Sequence, residues 1–121
     1  MDLNNPVIKL CAAGTQAEFA GKKDNACELY HQAWEAATDD FEACVAAHYM
    51  ARCQKSPEQI LRWNQEALER ANAVKDSRVE VFYPSLYLNM GKSYELLGNQ
   101  SEAKRYFDLA AELGYPHQTD D

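Results

Sequence analysis

The chain lacks any apolar run approaching the roughly 18 residues that a membrane-spanning helix needs. It holds only 5 glycines and 4 prolines among 121 residues, few β-branched runs and no period-two alternation, so nothing in it supports a strand-built fold. Bases are in deficit, 12 Lys and Arg against 19 Asp and Glu, for a net charge of −7. That balance argues against a nucleic-acid backbone or an anionic membrane surface as partner, and it serves solubility. The amino-terminal stretch carries Asp2, no early base, and Lys9 within its apolar run, which is not the pattern of a signal peptide. The four cysteines, Cys11, Cys27, Cys44 and Cys53, stand 16, 17 and 9 residues apart with no CxxC or CxxH. This spacing suits neither zinc nor a disulfide framework, so four small buried thiols in a reducing cytoplasm are expected. HExxH, GxSxG and a phosphate-cradling glycine loop are all missing. His31, His48 and His117 have no nucleophile at readable spacing, and acid pairs such as Asp39-Asp40 fall at helix starts. The expectation is a non-catalytic protein without metal or cofactor.

What the chain does have is apolar residues at three- and four-residue spacing, with 46% hydrophobic and 26% charged residues, as in an ordinary folded domain. Asn5-Pro6 reads as a cap followed by proline at the first helical position. Asp39 with Glu42, Ser56-Pro57 with Gln59, and Asn99 with Glu102 each fit a capping box. Gly21, Gly98 and Gly114 stand where helices must end in a left-handed turn. Six helices follow, approximately Pro6–Ala20, Lys23–Ala37, Asp40–Gln54, Pro57–Val74, Arg78–Leu97 and Gln100–Leu113. Short loops between them imply antiparallel hairpins. The fifth contains Pro84, and two readings stay open: one helix bent at that proline, or an irregular arm from Asp76 to Tyr83 followed by a helix.

The most informative segment is Gly91–Gly114, GKSYELLGNQSEAKRYFDLAAELG. Tyr94, Gly98, Ala103, Phe107 and Ala110 stand 3, 7, 12, 16 and 19 residues after Gly91. Two helices joined by a tight turn need such a series, with glycine where backbones touch, aromatics as wedges and alanine where the second helix lies close. Leu10, Ala13, Gly14, Gly21, Ala26, Tyr30 and Ala33 repeat it at the offsets of Tyr87, Met90, Gly91, Gly98, Ala103, Phe107 and Ala110, though Ala17 replaces Tyr94. A weaker middle copy runs through Cys44, Ala47, His48, Ile60, Asn64 and Ala67, 34 residues after the first and 43 before the third. These residues resemble the tetratricopeptide repeat (TPR). The resemblance implies an all-α fold of three stacked antiparallel helix hairpins in a right-handed superhelix. It would be one domain over 1–121, with repeats at about 7–40, 41–83 and 84–117.

His48 stands where the repeat has a small residue, and Asn64 where it has an aromatic wedge. A volume exchange is the physical reading, with the two forming a hydrogen-bonded polar core pair, since an unpaired buried imidazole would be costly. By the resemblance, the inner face is lined by Ile8, Cys11, Thr15, Glu18 and Phe19, then Val45, Tyr49, Arg52 and Cys53, then Leu88, Asn89, Lys92 and Glu95. Phe19, Tyr49, Arg52, Asn89 and Lys92 are the candidate partner-binding residues, and the cations suit an extended acidic peptide. The carboxylate clamp of some relatives is excluded, because Cys11, Thr15, Ala46, Ser85 and Asn89 occupy its positions. The expected function is a small cytoplasmic adaptor that binds a protein or peptide. The alternative is a sensor of a small ligand or signalling peptide, with a closed pocket around Tyr49, Trp63 and Tyr87. No covering helix follows Gly114, so Tyr106, Leu109 and Leu113 are expected to lie open. A homodimer through that hairpin, or a chain cut from a longer protein, would each account for this.

Overall fold

Helix starts are set by side-chain oxygens in four of six cases. The computed structural model describes residues 4–115, and among them lie six α-helices. They are α1 (Pro6–Phe19), α2 (Lys23–Ala36), α3 (Asp40–Met50), α4 (Pro57–Ala73), α5 (Tyr83–Leu96) and α6 (Gln100–Glu112), and no strand occurs among these residues. Asn5 Oδ1 accepts from the amides of Val7 and Ile8 at 2.8 and 3.2 Å. Asp39 accepts from Glu42 N at 2.8 Å, and Ser56 and Asn99 accept from Gln59 N and Glu102 N at 3.2 Å. Each bond satisfies an amide that the first helical turn leaves free.

The return half of the expected capping boxes takes other partners. Glu42 Oε1 accepts from the N–H and hydroxyl of Thr38 at 2.8 and 2.9 Å, and its Oε2 accepts from Asn5 Nδ2 at 2.8 Å. The cap of α1 is thereby tied to the first turn of α3. Glu102 turns to Arg105 instead, 3.0 Å away.

The helices pair as hairpins, α1 with α2, α3 with α4 and α5 with α6, joined across α1–α3, α2–α3 and α4–α5. Gly21 and Gly98 turn the first and third hairpins with φ of 78° and 77°, in the left-handed region. The core runs from Val7, Ile8 and Cys11 through Phe41, Cys44 and Ala47 to Ala67, Val79 and Leu86. In the first and third hairpins glycine and ring meet as the sequence spacing requires. A methyl on Gly14 would lie 2.7 Å from Tyr30 Cδ1, and one on Gly91 would lie 2.6 Å from Phe107 Cδ1.

Two helices are shorter than the sequence suggests. The fifth does not bend at Pro84. It begins at Tyr83, and Pro84 occupies its first turn, where the missing N–H and fixed φ are no handicap. The residues before it, Ser77–Phe82, form a 3-10 turn capped by Asp76, which accepts from Arg78 N at 3.0 Å. The irregular-arm alternative placed the boundary correctly, but the arm is ordered. α3 likewise stops at Met50, and Ala51–Cys53 continues as a 3-10 turn. Lys23 Nζ reaches the Arg52 carbonyl at 2.8 Å, and Gln54 Nε2 reaches the Met50 carbonyl at 2.9 Å, serving acceptors that a helix end leaves over.

At the carboxyl end, Tyr106 and Leu109 are half-buried rather than open. Tyr106 stacks on Tyr94 with centroids 5.9 Å apart and meets Tyr87 at 6.2 Å. Leu113 does lie open, at 49% exposure. The tail from Pro116 onward, including the end of the third expected repeat, lies outside the described residues.

Gly14→Ala sets a gain in helix propensity of about 1 kcal/mol against overpacking of about 1–3 kcal/mol. Tyr30 is fully buried and held at both ends, so the ring has nowhere to withdraw. Overpacking therefore wins. Urea unfolding should show a loss of about 1–2 kcal/mol, and a variant as stable as the wild type would mean that the hairpin does not need this close approach.

Candidate functional site

The side chains of greatest interest lie where the ends of α1 and α3 meet. Glu18, near the end of α1, receives Arg52 through two bonds, Nε to Oε1 at 2.8 Å and Nη2 to Oε2 at 3.0 Å. The buried Tyr30 hydroxyl donates to Glu18 Oε1, and Lys23 Nζ lies 3.7 Å from Oε2. The bond from Arg52 above all, helped by Tyr30 and opposed by burial, lowers the Glu18 carboxyl from its ordinary value of 4.5 to about 2. Burial first, then the bond to Glu18, pushes the Tyr30 hydroxyl up to about 12. Tyr49 stacks on the Tyr30 ring, 5.0 Å between centroids at 24°, and His48 meets Tyr49 edge-on at 5.0 Å.

Cys27 of α2 and Cys53 after α3 are joined as a disulfide, their Cα atoms 5.7 Å apart. This corrects the expectation of four thiols and removes the argument for a reducing compartment. Sequence spacing hid the pair because the cysteines come from different hairpins, and only the packing of α2 on α3 brings them together. Cys11 and Cys44 are free and buried, and burial raises them to about 12 and about 11, so both stay protonated and unreactive.

The expected His48–Asn64 pair does not form. Asn64 Nδ2 donates to Ser93 Oγ at 2.8 Å, and Ser93 donates to the Asn89 carbonyl at 2.7 Å. His48 Nδ1 faces Asn89 Nδ2 at 3.3 Å. Both polar side chains thus find partners one hairpin further on, in α5. A pair inside the middle hairpin would have left Ser93, which is 1% exposed, short of a donor. Because Asn89 Nδ2 can only donate, His48 Nδ1 is the acceptor and the ring proton sits on Nε2. Burial, with the charge of Arg52, lowers the His48 pKa and keeps the ring neutral.

Of the five candidate binding residues, Phe19 is 89% exposed and Lys92 is exposed with no ion pair among the described residues. Tyr49 and Asn89 are half-buried and already engaged with Tyr30 and His48. Arg52, half exposed, is paired with Glu18, so it meets any acidic peptide as a cation already partly neutralised. The pocket expected around Tyr49, Trp63 and Tyr87 does not occur as such. Trp63 meets Trp34 edge-on at 5.0 Å, and Tyr87 belongs with Tyr83 and Tyr106. Tyr49 instead lines a cavity of about 210 Å³ with His48, Phe82 and Leu86.

No group of three or more metal-ligating side chains occurs among the described residues, and no helix there is long and apolar enough to cross a membrane. No protein-family model, no curated protein and no solved structure matches this chain.

Two outcomes follow from this geometry. The disulfide closes a separation of 26 residues, which corresponds to about 3 kcal/mol and about 10 °C in melting temperature. A thermal melt with and without dithiothreitol should show that drop, and Cys53→Ser should melt like the reduced protein. Glu18 has a folded pKa below its ordinary value, so its contribution is complete above about pH 4.5 and is lost as pH falls toward about 2. Arg52 is half exposed, and discounting for solvent leaves about 1 kcal/mol. Glu18→Gln should lose that much at pH 7, and the difference from wild type should close by pH 2 in urea titrations.

Proposed function

We propose that the chain is a non-catalytic binding module built on three TPR-like hairpins in a right-handed superhelix, holding a protein or peptide along the face shared by α1, α3 and α5. The observation that carries this reading is the repeated close contact. Gly14 against Tyr30 and Gly91 against Phe107 are the same arrangement displaced by 77 residues, so the first and third hairpins use one building plan. Hairpins of one plan, laid side by side, present their first helices on a common surface. Phe19 and Lys92 stand exposed on two of those helices, and Tyr49 and Asn89 are half-open between them.

The absence of turnover is supported by Cys44 and His48. They stand one helical turn apart, but burial holds the thiol protonated and His48 turns its Nδ1 to Asn89 rather than to sulfur. With Arg52 partly neutralised by Glu18, the face favours a segment bound by apolar and hydrogen-bonding contacts more than one selected for negative charge.

A display library of extended peptides, selected on the wild type, tests the reading. Phe19→Ser with Lys92→Glu changes only exposed side chains and should leave the fold intact. Enriched peptides should bind this variant at least about tenfold more weakly. No enrichment by the wild type, or equal binding by both proteins, would remove the basis of the proposal.

A further inference from the structure

The cavity beside Tyr49 has a definite size and chemistry. Its volume is about 210 Å³, and it lies between α3 and the start of α5. Cys44, Val45 and Leu86 are buried and form its floor, while Phe82, half-buried, adds an aromatic wall. His48, Tyr49 and the exposed Ser85 stand toward its mouth. A dry apolar cavity of roughly 150 Å³ takes a benzene ring. The space here suits one six-membered ring with a small substituent, and it is too small for a nucleotide or a drug-sized ligand.

The polar groups say what the substituent is. His48 Nδ1 is engaged by Asn89, so Nε2–H is the ring's remaining donor. No buried polar side-chain atom among the described residues lacks a hydrogen bond. This N–H has no protein partner among the described residues, so it is accessible, and His48 is one of the residues that line the cavity. Ser85 also has no hydrogen bond among the described residues, and its hydroxyl can accept or donate. A neutral N–H beside a hydroxyl, over an apolar floor, matches a phenolic oxygen that accepts from one and donates to the other.

We propose that this cavity is an anchor site for one hydroxylated aromatic ring, presented as a tyrosine side chain by an extended partner, its oxygen accepting from His48 Nε2–H. The proposal rests on the binding-module reading above. The side chains at the mouth, Tyr49 and Ser85, come from two of the helices along which the partner would lie, so a ring entering there belongs to a chain passing over α3 and α5. A plain phenyl ring would fill the same space but displace water from an N–H that it cannot satisfy, and it should bind about tenfold more weakly.

The test is an NMR titration of the intact protein with p-cresol, toluene, and the peptide acetyl-Ala-Ala-Tyr-Ala-Ala-amide. p-Cresol should shift the methyl signals of Val45 and Leu86 and bind about tenfold more tightly than toluene. The peptide should shift the same methyls and bind more tightly than p-cresol. Ser85→Trp, at an exposed position, should close the mouth and abolish all three effects, and His48→Phe should bring p-cresol and toluene level. If p-cresol leaves those methyls unmoved, binds no better than toluene, or still binds the Ser85→Trp protein, the site is overturned. If p-cresol binds and the peptide gains nothing, the peptide source is overturned in favour of free phenols. The p-cresol result does not depend on Phe19 or Lys92, so failure of the module reading and failure of the cavity assignment are told apart. Should His48→Phe fail to fold, the wild-type preference and Ser85→Trp still decide.

Discussion

The structure depends on how Tyr30 is held. Its ring fills the space that Gly14 leaves open, so a ring of α2 packs directly on the backbone of α1. Its outer face carries Tyr49, which brings α3 against the first hairpin. Its hydroxyl is committed to Glu18, and Glu18 in turn fixes Arg52 beyond the end of α3. One side chain therefore links steric fit, ring stacking and a charge-assisted network. A ring without the hydroxyl would keep the first two and leave Glu18 with only its cations. A smaller side chain would lose all three at once.

The sequence made local structure legible because local structure is decided by near neighbours. Asn5, Asp39, Ser56 and Asn99 cap the helices they precede, and Gly21, Gly98 and Gly114 take the left-handed turn, since each choice involves only a few residues. The contact of Gly91 with Phe107 was readable for the same reason, because sixteen residues across a tight turn is a fixed geometry. Bonds between hairpins were not readable. Cys27–Cys53, Glu18–Arg52 and His48–Asn89 span 26, 34 and 41 residues, and their partners are chosen by how one hairpin lies on the next. Arg52 and Lys92 are both bases on helical surfaces, and nothing in the chain alone shows that one is partly neutralised and the other free.

The middle hairpin shows what an altered repeat position does. His48 and Asn64 occupy the places that hold glycine and ring in the hairpins on either side. An imidazole and an amide thus stand where the neighbours have a glycine and an aromatic ring. They are satisfied by Asn89 and Ser93 of α5, and the same displacement turns one face of His48 toward a cavity instead of a packed ring. The departure from the pattern therefore couples the second hairpin to the third by hydrogen bonds, beside a cavity that His48 lines.

The disulfide also divides the molecule mechanically. It closes a loop that holds most of α2, all of α3 and the turn after it, and so ties α2 to α3, whereas α1 on one side and α4, α5 and α6 on the other lie outside the loop. Under tension between its two ends, the chain cannot extend through those 26 residues, which hides about 90 Å of contour. The helices outside the loop, α1 at one end and α4 to α6 at the other, are the parts free to peel away, and with α5 goes one side of the cavity. Oxidised, the protein yields to pulling at both ends and resists in the α2–α3 segment between them.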